Sequence, residues 1–578
     1  MPSSQLGPRE RVAALQRMAD ERFDVLVIGG GVTGCGTALD AASRGLSVAL
    51  VEQRDFASGT SSRSSKLFHG GLRYLEQFEF GLVREAARER KLMVDTLCPH
   101  LARPVSFAIP LEKSRWQRFY LSAGTLLYDW IGGRRSLPRR RRLSLADLQR
   151  RYPGLRTTHY SGAIEYFDAQ MDDARHTLTL ARTAARSGAC LASSVRQTDF
   201  LKQGSRVIGA RVQCLESGRE IEVQARQVIL ATGVWTDRVQ SQVGGGDLRV
   251  RASKGVHLVV PRDRIDIDGG LVLRTATSVL FVIPWKQHWI IGTTDTDWNL
   301  DLAHPAASRR DVDYLLEVVN QALVHPLVHD DIQGVYAGLR PLLYGESDAT
   351  SQLSREHAVS EPAAGLLTIA GGKYTTYRVM ARDAVDAVAR HLGREIPASC
   401  TERVPLVGAE GWHAAWNSRV AAARKAGLSL ASFEHLLLRY GSAIDELLEA
   451  MAEDPLLGEP LEGAPEYLRV EIHQAVTREA ALHLDDVLTR RTRISVETFD
   501  RGLAAARPAA AIMAHPLGWS AEDLEREIVH YEARVQAERE SQGQPDDHTA
   551  DAARMGAPDV RTGPSQRARG AKVVPLPR

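Results

Sequence analysis

The pattern of apolar and polar positions in the first 52 residues predicts a strand, a helix and a second strand. An apolar run over residues 23–28 leads directly into a glycine-rich turn, Gly29-Gly30-Gly31-Val32-Thr33-Gly34. A second apolar run ends at Val51, and the acidic residue Glu52 follows it at once. This order is typical of a βαβ unit, in which a helix joins two parallel strands.

The glycines and the acid occupy the positions that a dinucleotide-binding site requires. Gly29 allows a tight turn, Gly31 allows the backbone to approach a pyrophosphate, and Gly34 allows the helix to pack closely on the strand. The helix N-terminus directs its N–H groups and positive dipole end at the phosphates. Glu52, about 20 residues further on, can accept hydrogen bonds from ribose hydroxyls. We therefore predict a dinucleotide cofactor; the alternative is an ordinary tight βα turn.

Downstream of this unit, short β-like runs alternate with helical segments. The runs 207–214 and 220–223 enclose Glu216-Ser217-Gly218-Arg219, which predicts a hairpin. A buried strand follows and ends in a small-residue turn at Gly233, and residues 279–293 predict two further strands.

This interleaving predicts an α/β fold with a Rossmann-like dinucleotide-binding domain over 21–395. An antiparallel-sheet substrate domain interrupts it, in parts over roughly 104–170 and 251–335. Segments rich in Ala, Leu, Glu and Arg with helical periodicity then predict an all-α C-terminal domain over 396–537. Residues 1–20 read as a short amphipathic lead-in, and the polar, Gly/Pro-rich residues 538–578 as a disordered tail.

The composition narrows the class of protein. The 578 residues suffice for two or three domains, and the formal net charge of +2 creates no global field that would attract nucleic acid. The five cysteines are odd in number and form no CxxC pair, which indicates reduced thiols in the cytoplasm and argues against a zinc site. We find no signal-peptide pattern and no run of about 18 uncharged apolar residues.

Three later segments favour a flavin over a nicotinamide. The turn at Gly233 can approach the same cofactor from another side, and a third strand–turn at 366–378 precedes a predicted helix at 376–392. The N-terminus of that helix can stabilise negative charge on a reduced flavin ring. A polar loop at 58–65 adds hydroxyl and backbone donors for the pyrophosphate and the ring edge. For each turn taken alone, plain α/β architecture is the alternative. The further cofactor-binding candidates are Thr60, Ser61, Ser64, Ser65, Gly233, Gly372 and Thr375.

Four segments together resemble a known family. They are Thr60-Ser-Ser-Arg-Ser-Ser-Lys-Leu-Phe-His69-Gly-Gly-Leu-Arg73-Tyr-Leu-Glu76, Lys254-Gly-Val-His257, Gly338-Leu-Arg340-Pro341 and Ala370-Gly-Gly-Lys373-Tyr-Thr-Thr-Tyr-Arg378. They closely resemble the signature of FAD-dependent, aerobic-type glycerol-3-phosphate dehydrogenases, over about residues 22–530. The resemblance implies oxidation of sn-glycerol 3-phosphate to dihydroxyacetone phosphate, with electrons passing through FAD to a membrane quinone. It also implies a homodimer formed through the helical domain.

The charged residues of these motifs suit a phosphomonoester, which carries about two negative charges and needs several cations or backbone donors. Arg73, Lys373 and Arg355, the last in the family-like segment Ser354-Arg355-Glu356, are the phosphate-binding candidates, with Tyr74 assisting. Arg340 is the candidate for holding the oxygen at carbon 2, where a cation stabilises a developing alkoxide.

Hydride transfer to flavin N5 also requires removal of the carbon 2 hydroxyl proton, which suits a histidine. His69 and His257 both lie in the motifs, and we favour His257; for either one, a structural histidine is the alternative. Two positions depart from the family pattern. Arg63 replaces a small residue, and we expect its guanidinium to point to solvent; Tyr374 replaces an aliphatic residue, and we expect a tolerated packing change.

An aromatic, amphipathic segment at 115–131 precedes the basic cluster Arg134-Arg135-Ser-Leu-Pro-Arg139-Arg-Arg-Arg142. This combination predicts peripheral contact with the anionic inner face of the cell membrane; the alternative is a core helix followed by a solvated charge run. No aromatic-interleaved basic platform indicates nucleic acid binding. Three other functions remain open: a glycerol-3-phosphate oxidase that uses oxygen, a flavin oxidase of amines or 2-hydroxy acids, and a flavin-bearing regulatory or RNA-associated module.

Overall fold

The structure, a computed structural model, describes residues 3–71, 79–112, 137–275, 279–344 and 356–562. The predicted substrate-binding residues Arg73, Tyr74 and Arg355 and the aromatic segment 115–131 lie outside the described residues.

The strands of the described residues are β1 (Arg22–Ile28), β2 (Val48–Val51), β3 (Leu67–Phe68), β4 (Arg103–Glu112), β5 (Arg141–Ser144), β6 (Tyr160–Gln170), β7 (Cys190–Ala192), β8 (Val195–Gln203), β9 (Arg206–Cys214), β10 (Glu220–Leu230), β11 (Val250–Pro261), β12 (Gly270–Arg274), β13 (Val279–Trp285), β14 (His288–Gly292), β15 (Thr296–Trp298), β16 (Gly334–Leu343), β17 (His357–Ala363), β18 (Leu366–Gly371), β19 (Pro460–Leu461) and β20 (Ala464–Leu468).

The α-helices of the described residues are α1 (Pro8–Asp20), α2 (Val32–Ser43), α3 (Phe80–Leu92), α4 (Leu145–Arg151), α5 (Asp173–Arg186), α6 (Thr236–Gln240), α7 (Arg309–Ala322), α8 (Tyr377–Ala389), α9 (Trp412–Lys425), α10 (Leu430–Tyr440), α11 (Ile444–Glu453), α12 (Arg469–Thr477), α13 (Leu484–Asp486), α14 (Ile494–Glu497), α15 (Leu503–Leu517), α16 (Ala521–Gly543) and α17 (Asp547–Arg554).

The first sheet is the Rossmann-like sheet that the sequence predicts. Its strand order is β17-β18-β10-β1-β2-β7, and β18, β10, β1, β2 and β7 run parallel. Both β1 and β2 are almost wholly buried, as expected for central parallel strands. The helix α2 packs between α5 and α8 on one face. The hairpin β9–β10 confirms the predicted hairpin, and α8 confirms the helix predicted at 376–392.

The second sheet confirms the prediction of an interleaved, mainly antiparallel domain. Its order is β15-β11-β14-β13-β12-β4-β6-β3, with β16 paired to β11 and β5 to β6. One parallel pairing, between β12 and β4, joins the two separate pieces of chain. The strand β16 extends to Leu343, beyond the boundary at 335 that we predicted, because it pairs with β11 along most of that strand's length.

The C-terminal domain is helical, as predicted, and contains in addition the short hairpin β19–β20. The predicted disorder from residue 538 is wrong over 538–562, where α16 continues to Gly543 and α17 follows. Composition alone misled the prediction because several charges of this segment are paired; Arg534 contacts Glu538 at 2.8 Å, for example. Among the helices of the described residues, none combines the length and the hydropathy that a membrane-spanning segment needs.

Candidate active site

A cavity of about 1670 Å³ opens between the two sheets. The turns that follow β1, β10 and β18 form one wall, and strands β11 and β16 form another. Parallel strands present their carboxyl ends at one edge of a sheet, where open α/β folds bind ligands. The volume exceeds that of a typical small-ligand pocket and leaves room for a cofactor together with a substrate.

The first glycine turn has the tight geometry that the sequence predicts. Gly29 has a φ of +114°, and a Cβ there would lie 2.5 Å from the carbonyl oxygen of Ala231. A Cβ on Gly34 would lie 1.8 Å from the carbonyl oxygen of Gly29, so only glycine lets α2 approach the strand. Gly31 lines the cavity just before α2, and the amide of Val32 donates to Ser61 Oγ at 2.9 Å.

Glu52 lines the cavity and also fixes the turn. Its carboxylate accepts hydrogen bonds from the amides of Gly30 (2.7 Å) and Arg54 (2.8 Å). Burial raises the pKa of Glu52, although these two N–H donors oppose the shift. Contact of Glu52 with a ribose stays a prediction.

The polar loop lies against the same cavity, but most of its hydroxyls already have partners within the protein. Thr60 donates to the Leu339 carbonyl at 2.6 Å, and Ser64 donates to Asp173 at 2.7 Å. Ser65 Oγ lies 2.8 Å from Nε2 of His257. Ser61 Oγ likewise accepts from the Val32 amide at the start of α2, and cofactor contact by all four side chains stays a prediction.

The second and third turns also reach the cavity. Gly233 and Gly372 have φ values of +55° and +75°, and both line it, as does Thr375. Thr375 Oγ1 donates to the carbonyl of His69 at 3.3 Å. This bond connects the third turn to residues 60–71 of the first family motif, which we call the signature loop.

The structure brings the predicted reactive residues together from four distant parts of the chain. His257 on β11, Arg340 on β16, His69 just after β3 and Lys373 just after β18 all line this cavity. Arg340 is held by an ion pair with Asp295 at 3.2 Å and by a hydrogen bond to Thr293 Oγ1 at 3.2 Å.

His257 is held by two neighbouring side chains. Besides its contact with Ser65, its imidazole stacks on the ring of Tyr336. Burial, reinforced by the positive charges of Arg340 and Lys66, holds the pKa of His257 well below its ordinary value. The imidazole is therefore neutral near pH 7, the state that a general base requires.

Sequence reasoning missed several residues of the site. Tyr336 lies four residues before Arg340 on β16, so strand periodicity would have placed both on one face. Asp173 accepts hydrogen bonds from Ser64, Lys66 and Arg493, and these contacts span more than a hundred residues. No local sequence pattern predicts contacts between residues so far apart in the chain.

The two departures from the family pattern have definite structural roles. We expected the Arg63 guanidinium to point to solvent, and this expectation is wrong. Arg63 lines the cavity and donates to the Ala303 carbonyl at 3.2 Å. Burial, together with the neighbouring Arg54, lowers the pKa of Arg63 to about 9. Tyr374 does more than fill space, because its hydroxyl donates to the Asp173 carbonyl at 2.6 Å and also contacts Thr177.

The cavity fits a dinucleotide on its own geometry, because the glycine turn, the N-terminus of α2 and the acid directly after β2 all line it. Comparison with known proteins defines the class. Residues 24–378 match the family described as FAD dependent oxidoreductase, and residues 399–524 match the C-terminal domain of alpha-glycerophosphate oxidase. The protein is thus a FAD-dependent oxidoreductase, and its cofactor is FAD, as predicted.

The relatives define the family more narrowly. The chain is 56% identical to a glycerol-3-phosphate dehydrogenase of Mycobacterium leprae, over 97% of this chain and 96% of the relative. It is 36% identical to the mitochondrial glycerol-3-phosphate dehydrogenase of Mus musculus, over 89% of this chain and 73% of the relative. The solved glycerol-3-phosphate dehydrogenase of Bacillus halodurans, complexed with FAD, is similar with a TM-score of 0.76 at 28% identity, covering 93% of this chain and 98% of that one. The chain belongs to the glycerol-3-phosphate dehydrogenase family.

Proposed function

We propose that this enzyme oxidises sn-glycerol 3-phosphate to dihydroxyacetone phosphate with FAD as hydride acceptor, and that the electrons then pass to a membrane quinone. The observation that carries the proposal is the convergence of His257, Arg340 and Lys373 on the cavity into which the cofactor-binding turns open. The substrate is the one named for the Mycobacterium leprae relative, which matches nearly the whole chain.

The charges of the cavity suit this substrate. Lys373 faces a phosphate that carries about two negative charges, and Arg340 holds the oxygen on carbon 2. As the carbon 2 hydroxyl loses its proton, the Arg340 guanidinium stabilises the alkoxide and then the product carbonyl. The contributions of Arg73, Tyr74 and Arg355 belong to the same proposal and rest on the sequence resemblance.

His257 takes the hydroxyl proton. Its imidazole is neutral and is held by Ser65 and Tyr336, so little reorganisation precedes proton transfer. The protonated imidazole next to Arg340 is costly, but the phosphate dianion of the substrate brings compensating negative charge. Bound FAD supplies the position that accepts the hydride from carbon 2.

Anaerobic mixing of the FAD-loaded enzyme with glycerol 3-phosphate tests the substrate. We expect rapid loss of flavin absorbance near about 450 nm, a band set by the cofactor. Glycerol, lactate and glycine serve as controls. Bleaching by glycine or lactate alone would favour the amine or hydroxy-acid oxidases, whereas no bleaching by any of them would favour a regulatory flavoprotein.

For the acceptor, the proposal is supported by an apolar wall of the cavity, which a flat, apolar quinone ring can contact. Phe80, Leu82, Val272, Val279 and Phe281 form this wall. The reduced enzyme is mixed with a soluble quinone analogue or with oxygen. We expect the quinone to reoxidise the flavin much faster than oxygen does; stoichiometric hydrogen peroxide at a faster rate would instead identify an oxidase.

We extend the proposal to peripheral association with the inner face of the cell membrane and to a homodimer. Support comes from segment 115–131 and from Arg139, Arg141 and Arg142, which are exposed at or beside the edge strand β5. Co-sedimentation with anionic vesicles, absent with neutral ones and lost on changing these arginines to glutamine, is the expected result. Light scattering of the detergent-free enzyme tests the dimer.

A further inference from the structure

The last part of the described chain returns to the cofactor cavity. We call residues 544–562 the C-terminal strap; it begins after α16, contains α17 and lies beyond residue 524, where the match to the C-terminal family ends. Four of its residues line the cavity: Met555, Pro558, Asp559 and Arg561. The cofactor-binding domain therefore does not form the whole wall of its own cavity.

The beginning of the strap is anchored to the second sheet. Asp547 accepts hydrogen bonds from Lys254 Nζ at 2.5 Å and from Ser308 Oγ at 3.1 Å. The carbonyl of Gln544 accepts from the amide of Arg309 at 2.8 Å. Ala550 is fully buried in an apolar cluster that includes Val234, Trp298 and Leu339.

The end of the strap is anchored to the helical domain. Arg561 donates to both carboxylate oxygens of Asp486, at 2.9 and 2.7 Å, and both side chains are buried. Because the strap is fixed at both ends to different domains, the residues between its anchors are held across the cavity.

These residues face the part of the cavity where the nucleoside half of a dinucleotide is expected. Arg54, two residues after Glu52, donates to the Ala303 carbonyl and lies 5.3 Å from the Trp235 ring. His304, which follows Ala303 in the chain, lies 3.6 Å from Asp559 and 3.4 Å from Arg554 of the strap.

The part of the cavity next to the strap has both positive charge and apolar surface that a bound ligand could contact. Arg54 and Arg63 both donate to the Ala303 carbonyl and both line the cavity, and a pyrophosphate would bring them negative charge. Met555 exposes 49% of its surface, although it borders the cavity. A bound cofactor would cover this apolar side chain and thereby gain contact area.

We propose that residues 555–561 are a further part of the FAD site, closing the nucleoside end of the cavity over the bound cofactor and slowing its release. This inference requires only the cofactor and is independent of the substrate and the acceptor proposed above.

The test measures release of FAD from the full-length, FAD-loaded protein, followed by the rise in fluorescence of free FAD after dilution. In the double variant Met555→Ala, Pro558→Ala, whose anchors are intact, we expect release to be at least about threefold faster. A chain that ends at Gly543 lacks the strap and should release FAD at least about tenfold faster. The matched control ends at Thr562, keeps the strap and should release FAD at the full-length rate.

A second measurement separates cofactor retention from general stability. The melting temperatures of the FAD-free and FAD-loaded forms are compared for each variant. We expect the stabilisation by FAD to shrink in the double variant, with the FAD-free melting temperature nearly unchanged. Unchanged release in the full-length double variant would overturn the proposal, whatever the rate of the chain ending at Gly543. So would an equal fall of both melting temperatures in the double variant, because the strap would then be a structural brace alone.

Discussion

His257 and Tyr336 form a stacked pair across strands β11 and β16, with ring centroids 4.8 Å apart and planes inclined by 11°. The Tyr336 hydroxyl donates to the Ser64 carbonyl at 3.0 Å, and Ser65 contacts the imidazole. The signature loop and the second sheet thus hold the proposed base between them. This arrangement makes Tyr336 a positioning residue for His257.

Replacing Tyr336 by leucine removes the ring that supports His257. We expect Tyr336→Leu to reduce flavin at about one tenth of the wild-type rate or less, because small displacements of a catalytic group are costly. Tyr336→Phe is the matched control: it keeps the stack, loses only the hydroxyl bond and should remain within about threefold. Anaerobic stopped-flow reduction by glycerol 3-phosphate measures both. Equal rates in the two variants would show that the stack does not position the base.

The depressed pKa of His257 has a consequence for the pH dependence. A base loses activity when it is protonated, so a pKa well below 6.5 moves the acid limb of flavin reduction to low pH. Lys66→Gln removes one of the positive charges that hold this pKa down, so the limb should move to higher pH. Comparing the two enzymes cancels the ionisation of the substrate phosphate, whose pKa is about 6. An identical limb in both would contradict the assignment.

The rate of anaerobic flavin reduction distinguishes the roles of His257 and His69. Loss of a general base costs about 10²–10⁴-fold, and we expect this loss for His257→Gln. His69→Gln should cost markedly less, because in the proposed mechanism His257 and not His69 takes the proton. A larger loss for His69→Gln would reverse the roles.

The sequence was sufficient to predict those parts of the site that depend on local pattern. The turn at Gly29–Gly34 and the strands around it follow from periodicity and from the steric freedom of glycine. The partners of the reactive residues could not be predicted in this way. Asp295 reaches Arg340 only because β11 lies beside both β15 and β16, and the chain alone does not specify that pairing.

The C-terminal strap shows that amino-acid composition alone does not predict whether a segment is ordered. Residues 538–562 are polar, so their sequence alone predicts that their charges are solvated. The structure shows ion-pair partners for some of them in distant parts of the chain. Lys254 lies 293 positions before Asp547, and Asp486 lies 75 before Arg561. Buried ion pairs at such separations leave no periodic signal, so composition predicts a disordered tail where the structure has ordered helices.

Arg340 should not be replaceable by lysine. One Nη atom of its guanidinium contacts Asp295 and the other contacts Thr293, and a lysine ammonium cannot reproduce this fork. We expect Arg340→Lys to slow flavin reduction by about 10- to 100-fold at saturating substrate. Asp295→Asn, which keeps a hydrogen-bond acceptor beside an unchanged arginine, is the control and should lose less than about tenfold. A wild-type rate in Arg340→Lys would show that flavin reduction requires only a positive charge at this position.

His483 lies between two carboxylates from different domains. Its Nδ1 lies 2.9 Å from Glu527 in the helical domain, and its Nε2 lies 2.9 Å from Glu216 in the β9–β10 turn. Burial and Arg561 lower its pKa, but the two carboxylates prevail and raise it to about 10. The folded state therefore binds a proton that the unfolded state releases above about pH 6.5. The resulting stabilisation is complete below pH 6.5 and is lost as the pH rises towards 10.

His483→Gln should consequently destabilise the protein most at pH 6, by about 3 kcal/mol, because it leaves two buried carboxylates without their cation. The unfolding curves of variant and wild type should approach each other as the pH is raised to 10. Glu216→Gln is the matched control: it removes one of the charges that raise the pKa, so the stabilisation should be lost at a lower pH. Chemical denaturation of the FAD-loaded forms across this pH range measures all three. A His483→Gln deficit that is constant with pH would show that the imidazole contributes packing rather than charge.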